Sequence, residues 1–561
     1  MPNFLLSSTA FRMLACAVAV ATAPLLAPAA QAQSDAAKPV AIVGVTGYDA
    51  LVSDIDYLGQ FGGQVGAGKQ LDNMLQLFTQ GKGLQGVDKT KAWGVIVHVD
   101  GAVVCLPVTD LDAVLGLVEG FGMTTSEMGD GITEIEMPNQ SMYVKKSGNW
   151  AFASAKPEML ENAPADPGDM FDKMTTDYDI AAQVMVQNVP EMFRMIAIQQ
   201  LRAGAEQGLQ QNPGESDEAY QARRESTEAS IDQIEQFIND LDELTVGFNT
   251  DADKGNVILD FTYSAVPDTQ LAQGIEVYKD AKTLFAGCLK DGAAVTFNAS
   301  VTTPADLLDD YKAQMEGQMA SMRQQAMNGI DQKLGDLNEE ARATLKEAVN
   351  DLLDALEATA MSGKMDMAGH VAVQDGKLTA VTGGYTKEPG KVEASLKKLS
   401  ALLSDGPEVQ WNADSHGDAK IHTLLIPINN PDEQALFGES LEVAVGIGPE
   451  QFYVTAGPGA VSMLKEAMDT SGSSATPITP VQFSLALTPI LELIAKVEPN
   501  PAADAMLNAV VTKSEGMDSV HITAINTDGK LRTRLELEKG VLHAIGAAVM
   551  EARRQGAGAG F

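Results

Sequence analysis

Hydrophobic and polar positions along this chain repeat one layout four times: an apolar stretch, an acidic-glycine turn, a second apolar stretch and then a helical stripe. The turns are Asp100-Gly101, Asp253-Lys254-Gly255, Asp375-Gly376 and Asp528-Gly529. Short polar turns between apolar runs predict four β-hairpins. Each unit opens with a further strand, over Val40 to Val45, Ile180 to Val189, Ala293 to Val301 and Val481 to Leu487. Three of these run into a proline, Pro190, Pro304 or Pro489, which suits a strand end or a first helical turn.

Between opening strand and hairpin the apolar period lengthens to three and four. Tyr48 to Phe61 reads as a helix. Leu308, Tyr311, Met315, Met319 and Met322 form one stripe and Leu337, Leu345, Val349, Leu352 and Leu356 a second, which predicts a helical hairpin. Ile231, Ile234, Ile238 and Leu241 mark the returning helix of a similar pair, whereas the fourth unit has room for little more than one helix. An inserted segment also recurs, as Met142-Tyr143-Val144 with Trp150 to Ala155, and as Val443-Ala444-Val445 with Phe452 to Ala456.

The expected fold is α+β and internally duplicated, with antiparallel hairpins packed on long amphipathic helices. The four units fall into two halves, residues 33–287 and 288–553, followed by a flexible tail at 554–561. Alternation over Ile132 to Glu136 and Leu531 to Glu538 predicts sheets covered on one side only. Helices laid across such a sheet leave room for a cleft.

Residues 1–32 hold a single Arg12, an apolar run from Met13 to Leu26 and the small-residue exit Ala30-Gln31-Ala32, the layout of a cleaved signal peptide. Beyond it no apolar run reaches the ~18 residues of a spanning helix. An exported chain in the periplasm, on the cell envelope or outside the cell is expected. The 39 Lys+Arg stand against 76 Asp+Glu, a formal net charge of −37. Such a surface repels phosphate backbones, which excludes nucleic acid as a partner and disfavours anionic membranes.

Cys105 and Cys288 remain after the leader, and in an oxidising compartment they are candidates for one disulfide. Asp414, His416, Asp418 and His422 are the one local cluster of transition-metal ligand types, and positions 414, 416 and 418 share a face in an extended strand. They form the candidate divalent-metal site, set against an ordinary polar turn at His416-Gly417-Asp418.

Other motifs have plainer readings. Gly63 to Lys69 is spaced like a phosphate loop, but Gln70 replaces the magnesium-binding hydroxyl and a helix precedes it. Asp251, Asp253 and Asn256 resemble the start of a calcium loop that lacks its glycine and its final glutamate, so a hairpin turn is expected there. The Met315, Met319 and Met322 stripe is core filler at helical spacing. Neither Gly-x-Ser-x-Gly nor His-Glu-x-x-His occurs, and Ser395 with Lys398 lacks the partner motifs of a Ser-x-x-Lys enzyme.

The expected function is that of a non-catalytic binding or scaffold protein with a protein or envelope partner and no resident cofactor. Two alternatives stand beside it: metal binding at Asp414, His416, Asp418 and His422, and carriage of an apolar ligand in a sheet-helix cleft.

Overall fold

The computed structural model describes residues 38–554, apart from 139, 162, 165, 212–216, 306, 334–337, 375, 403–407, 473 and 498–499. The leader at 1–32, residues 555–561 of the tail, and Asp375 of the third turn lie outside the described residues. The chain is mixed helix and strand, and every ladder is antiparallel. It divides into two compact units. One runs through Tyr48 and adds Leu75–Thr176 and Ile180–Arg194; the other takes Asp49–Met74, Asp177–Asp179 and everything from Met195. These boundaries are not those of the sequence halves 33–287 and 288–553.

The first unit contains β1 (Ala41–Val45), β2 (Trp93–His98), β3 (Gly101–Pro107), β4 (Thr124–Gly129), β5 (Ile132–Met137), β6 (Gln140–Ser147), β7 (Trp150–Ser154) and β8 (Ile180–Met185). They pair in the order β8-β1-β2-β3-β7-β6-β5-β4. Ile42, Ile96, Val103, Cys105, Phe152 and Phe171 form its core, with Leu160 from the 3-10 turn Pro157–Leu160. Burying an aromatic or aliphatic side chain of this size stabilises by about 1.5–3 kcal/mol.

The second unit contains β9 (Leu241–Asp251), β10 (Asn256–Ala265), the two-residue β11 (Lys282–Thr283), β12 (Val295–Thr302), β13 (Lys364–Gln374), β14 (Lys377–Tyr385), β15 (Glu408–His416) and β16 (Ala419–Pro427). It continues with β17 (Ser440–Ile447), β18 (Gln451–Ala456), the two-residue β19 (Thr476–Pro477), β20 (Val481–Ala486), β21 (Ser519–Thr527) and β22 (Lys530–Glu538). Twelve of these pair in the order β9-β10-β22-β21-β20-β12-β13-β14-β18-β17-β16-β15, and β11 pairs with β19. Asp260 on β10 faces Arg534 on β22, which reaches it with two nitrogens at 2.8 and 2.7 Å while the Tyr178 hydroxyl donates to the same carboxylate at 2.9 Å.

The predicted hairpins are present as β2–β3, β9–β10, β13–β14 and β21–β22. The helical pairs are Leu308–Lys333 with Glu339–Met361, and Glu191–Gly208 with Asp217–Asp240. Tyr48–Phe61 is a helix, as its periodicity predicts. Two expectations need correction. The fourth unit holds two helices, Leu487–Val497 and Pro501–Lys513, because Asn500 caps the second and Pro501 opens it at once. The one-sided covering expected over Ile132 to Glu136 and Leu531 to Glu538 does not extend to β16, where the neighbours Ile421 and His422 face opposite ways and are 0% and 3% exposed.

Candidate functional site

The sequence-predicted metal residues lie on and beside the β15–β16 hairpin, whose pairing fixes where each points. Asp414 is opposite Ile421 and His416 opposite Ala419, so Asp414 and His416 share the face that packs on the helix Ala460–Ser471. His422 is one position on from Ile421 and takes the other face. There its Nδ1 accepts from Asn412 N–H at 3.0 Å, its ring stands edge-on to Trp411, and Nε2 is 3.9 Å from Glu393. Burial pushes the His422 imidazole below its ordinary value.

Asp414 and His416 each meet a side chain of that helix. Lys465 Nζ donates to Asp414 Oδ2 at 2.6 Å, and His416 Nε2 lies 2.7 Å from Asp469 Oδ1. Two residues along a strand advance about 6.8 Å and four along a helix about 6 Å, so the two rungs match. The Lys465 ammonium, with Ser415 N–H, holds the Asp414 carboxyl below its usual range. The expected four-residue metal site is therefore not assembled. No group of three or more His, Cys, Asp or Glu among the described residues is placed to hold a metal.

His416 and Asp418 do meet other functional side chains, in a cavity of about 450 Å³. The two-residue turn Gly417-Asp418 forms one wall, with Gly417 at φ +55° in the left-handed region. Met468 and Asp469 come from the helix, Lys364 from the start of β13, Tyr385 from the end of β14, and Glu450 from the β17–β18 turn. The Lys364 ammonium lies 4.3 Å from the Tyr385 ring centroid, and Glu450 is paired with Lys387 at 2.5 Å. Asp469 orients the His416 ring. Among the described residues no Ser, Thr or Cys lines the cavity, so the arrangement can bind and exchange a proton but offers no hydroxyl-alkyl or thiol nucleophile.

A second cavity, of about 330 Å³, lies between the helix Gln270–Glu276, the first turn of Leu308–Lys333, and the facing ends of β12 and β13. Val277, Val301, Leu307 and Met365 make it apolar, and Tyr278 and Tyr311 supply phenols. Burial raises the Tyr311 hydroxyl above its ordinary value.

The remaining sequence candidates have structural roles. Cys105 and Cys288 are free thiols, each in a different core, and burial pushes both up to about 12; the expected disulfide is not formed. Ser395 is fully buried, and Lys398 pairs with Asp351 at 2.8 Å. At the glycine loop, Gly68 N–H donates to Asp56 Oδ1 at 2.7 Å, so a carboxylate already holds the helix N-terminus. Asp251 closes its hairpin and accepts from Lys254 N–H at 2.9 Å. Met319 is core at 2% exposed, while Met322 is 44% exposed.

Sequence reasoning missed Lys364, Glu450 and Asp469, which come from three separate segments. The one available signal was the Lys465 and Asp469 spacing, and it acquires meaning only once the helix is known to cross the hairpin. It also missed Ser484, whose Oγ is 2.8 Å from His521 Nδ1, with His521 Nε2 3.6 Å from Glu538. Those residue types suit a nucleophile and base, but Ser484 sits on a strand paired on both sides, with Thr296 and His521, so its backbone is committed to the ladders and is no oxyanion donor. No helix among the described residues is long and apolar enough to cross a membrane. Compared with known proteins, the chain matches no family model, no curated protein and no solved structure.

Proposed function

We propose that the chain is a non-catalytic, exported binding protein of the periplasm or cell envelope, and that the cavity at the β15–β16 turn holds its ligand. One observation carries this reading. Lys364 and Asp418 face the same cavity without an ion-pair partner among the described residues, while the other charges there are paired as His416 with Asp469 and Glu450 with Lys387. A small zwitterion, such as an amino acid or a peptide end, satisfies both, with its carboxylate on Lys364 and its ammonium on Asp418. Tyr385 and Met468 offer apolar contact to the rest.

Calorimetric titration of the purified chain with a panel of amino acids and short peptides tests the proposal. Binding is expected for members carrying both charges, and Lys364→Met or Asp418→Asn is expected to weaken it about tenfold or more, the worth of one charge-assisted hydrogen bond. Binding that ignores both substitutions, or a panel without a binder, would sink the reading. The 330 Å³ apolar cavity supports carriage of an apolar ligand as a second reading.

Internal duplication belongs with this proposal. The order β8-β1-β2-β3-β7-β6-β5-β4 has the same sequence of connections as β20-β12-β13-β14-β18-β17-β16-β15. The hairpins β9–β10 and β21–β22 complete the two copies, and their last strands pair with Asp260 opposite Arg534, at equal distances beyond Gly255 and Gly529. An experimental structure whose eight-strand ladders do not superpose strand for strand would end this part of the proposal.

A further inference from the structure

The cavity of about 330 Å³ in the second unit is lined, among the described residues, by eleven side chains and glycines of which none is charged. Asp, Glu, Lys and Arg make up 20% of the chain, so this lining differs from the surface around it. Its walls are held by the backbone. Thr303 N–H, after β12, donates to Gly363 O, before β13, at 2.7 Å, which ties together the two ends of the helical pair. Gly363 turns the chain into β13 at φ +69°, in the left-handed region that favours glycine. On the other wall, Thr269 Oγ1 caps the helix Gln270–Glu276 by accepting from Ala272 N–H at 3.3 Å, and Asn526 Nδ2 donates to Ile275 O at 2.9 Å. Walls fixed in this way describe a preformed pocket.

The cavity adjoins a strip of half-exposed sheet. Val301 and Met365 both line it and are cross-strand partners, and the next pairs on the same face are Ala299 with Met367 and Phe297 with Gly369. Met365 and Met367 are 43% and 37% exposed, whereas Asp366 and Ala368, on the other face of β13, are 3% and 0% exposed. The buried Asp366 accepts from Leu284 N–H at 2.9 Å. This stretch of β13 thus buries a carboxylate and shows two methionines, the reverse of the usual placement, and exposed apolar surface of that kind marks a binding site. From Val301 to Phe297 the strip runs about 13 Å, four residues of strand. At the cavity end, the Tyr278 and Tyr311 hydroxyls and the Gln273 side-chain amide make no hydrogen bond among the described residues. Gln270 is already engaged, since Gln236 Nε2 donates to its Oε1 at 2.8 Å.

We propose that this cavity and strip bind an uncharged, elongated apolar molecule with a single hydroxyl group, of the class of long-chain alcohols. Its hydroxyl meets Tyr278, Tyr311 and Gln273, and its chain lies over Met365, Met367 and Phe297. The proposal rests on the apolar-carrier reading and adds the charge and shape of the ligand. A carboxylate or phosphate head would enter this lining without a counter-ion, which costs far more than burying a hydroxyl that is hydrogen-bonded. Lys279 and Lys312, next in sequence to the two tyrosines, are paired with Glu276 and Asp309.

Displacement of the uncharged fluorophore N-phenyl-1-naphthylamine from the purified chain tests the assignment. Dodecanol is expected to displace it at concentrations about tenfold or more below those needed for ionised dodecanoate. Met365→Glu puts a carboxylate into the lining at a half-exposed position and is expected to weaken dodecanol about tenfold or more. Met322→Glu, at a residue 44% exposed and outside the lining, is expected to change nothing. Tyr278→Phe with Tyr311→Phe keeps the shape of the cavity and is expected to weaken dodecanol by about two- to tenfold. Equal displacement by dodecanoate and dodecanol, both lost in Met365→Glu, overturns the uncharged class and leaves the apolar-carrier reading standing. Dodecanol binding that Met365→Glu and the double tyrosine variant both leave intact overturns the site and places the binding elsewhere. A chain that neither brightens the fluorophore nor binds dodecanol ends the apolar-carrier reading as well.

Discussion

The hairpins that end the two eight-strand orders, β4–β5 and β15–β16, are built alike and surrounded differently. Each ends in a two-residue turn and carries a bulge, next to the turn in β4–β5 and three paired residues back from it in β15–β16, and each leaves most of its outer strand exposed. The connection leaving the inserted hairpin separates them. After β7 the chain makes only the four-residue 3-10 turn Pro157–Leu160, whereas after β18 it makes the twelve-residue helix Ala460–Ser471. That added length carries Lys465, Met468 and Asp469 over the β15–β16 end, where two of them grip Asp414 and His416. The β4–β5 end has Met128, Gly129 and Asp130 at its turn, and the helix that packs on this hairpin is Leu111–Gly120, whose Glu119 accepts from the Thr125 hydroxyl on β4. Under the proposed duplication, a cavity forms where one connection is longer, while the order of strands stays the same.

The comparison rests first on the claim that the short turn and the long helix plug their cores in the same way. Leu160 and Leu464 are 1% and 0% exposed, one in each. Leu160→Ala and Leu464→Ala are each expected to cost about 2–5 kcal/mol in urea unfolding. A small loss for Leu464→Ala beside a full loss for Leu160→Ala would show that the helix is an appendage and not part of the framework.

A smaller effect separates the ladders by pH. β13 and β16 carry the buried His370 and His422, and burial is the main cause that pushes both imidazoles below their ordinary value. With the folded value lower than the unfolded one, protons bind the unfolded state more readily. The stability is complete above the unfolded value of about 6.5 and is lost as pH falls through it towards the folded value. The strands β1 to β8 carry no buried histidine. Limited proteolysis at falling pH is expected to cut first within β12 to β18, and His370→Asn with His422→Asn should remove the difference. Equal loss of protection in both ladders would break the contrast.

The smallest effect concerns the rungs themselves. His416 and Asp469 are 30% and 69% exposed in their side chains, and exposed ion pairs contribute little. Asp469→Ala is expected to move the melting midpoint by no more than about 1 °C, while weakening zwitterion binding through the loosened His416 ring. A large loss of stability would mean that the clamp, and not the buried Leu464, holds the helix.

Much of the architecture was legible in the residues. The acidic-glycine turns located all four hairpins because tight reversal favours those residue types locally, with Gly255, Gly376 and Gly529 at positive φ. The stripe over Leu308 to Leu356 located a helical pair for the same local reason, a period set by the backbone. Coverage of the sheet was not legible, because Ile421 and His422 show alternation whether or not a second layer lies behind them. The cavity was half legible. His416 stood out as a residue its partner hairpin lacks, but its role as metal ligand failed because a register of one residue turns His422 to the opposite face.

The sequence by itself determined the local grammar of this protein: which segments are strands, where they reverse, and which helices are amphipathic. Those properties depend on neighbours within a few positions of the chain. Only the tertiary structure decided which charges are spent and which are free. Asp414 and His416 are consumed by a helix some fifty residues away in the chain, Cys105 and Cys288 are buried in separate cores, and Thr250 N–H donates to the Asp179 carboxylate from 71 residues along the chain. Pairing of this kind depends on distance in space, which the order of residues does not express.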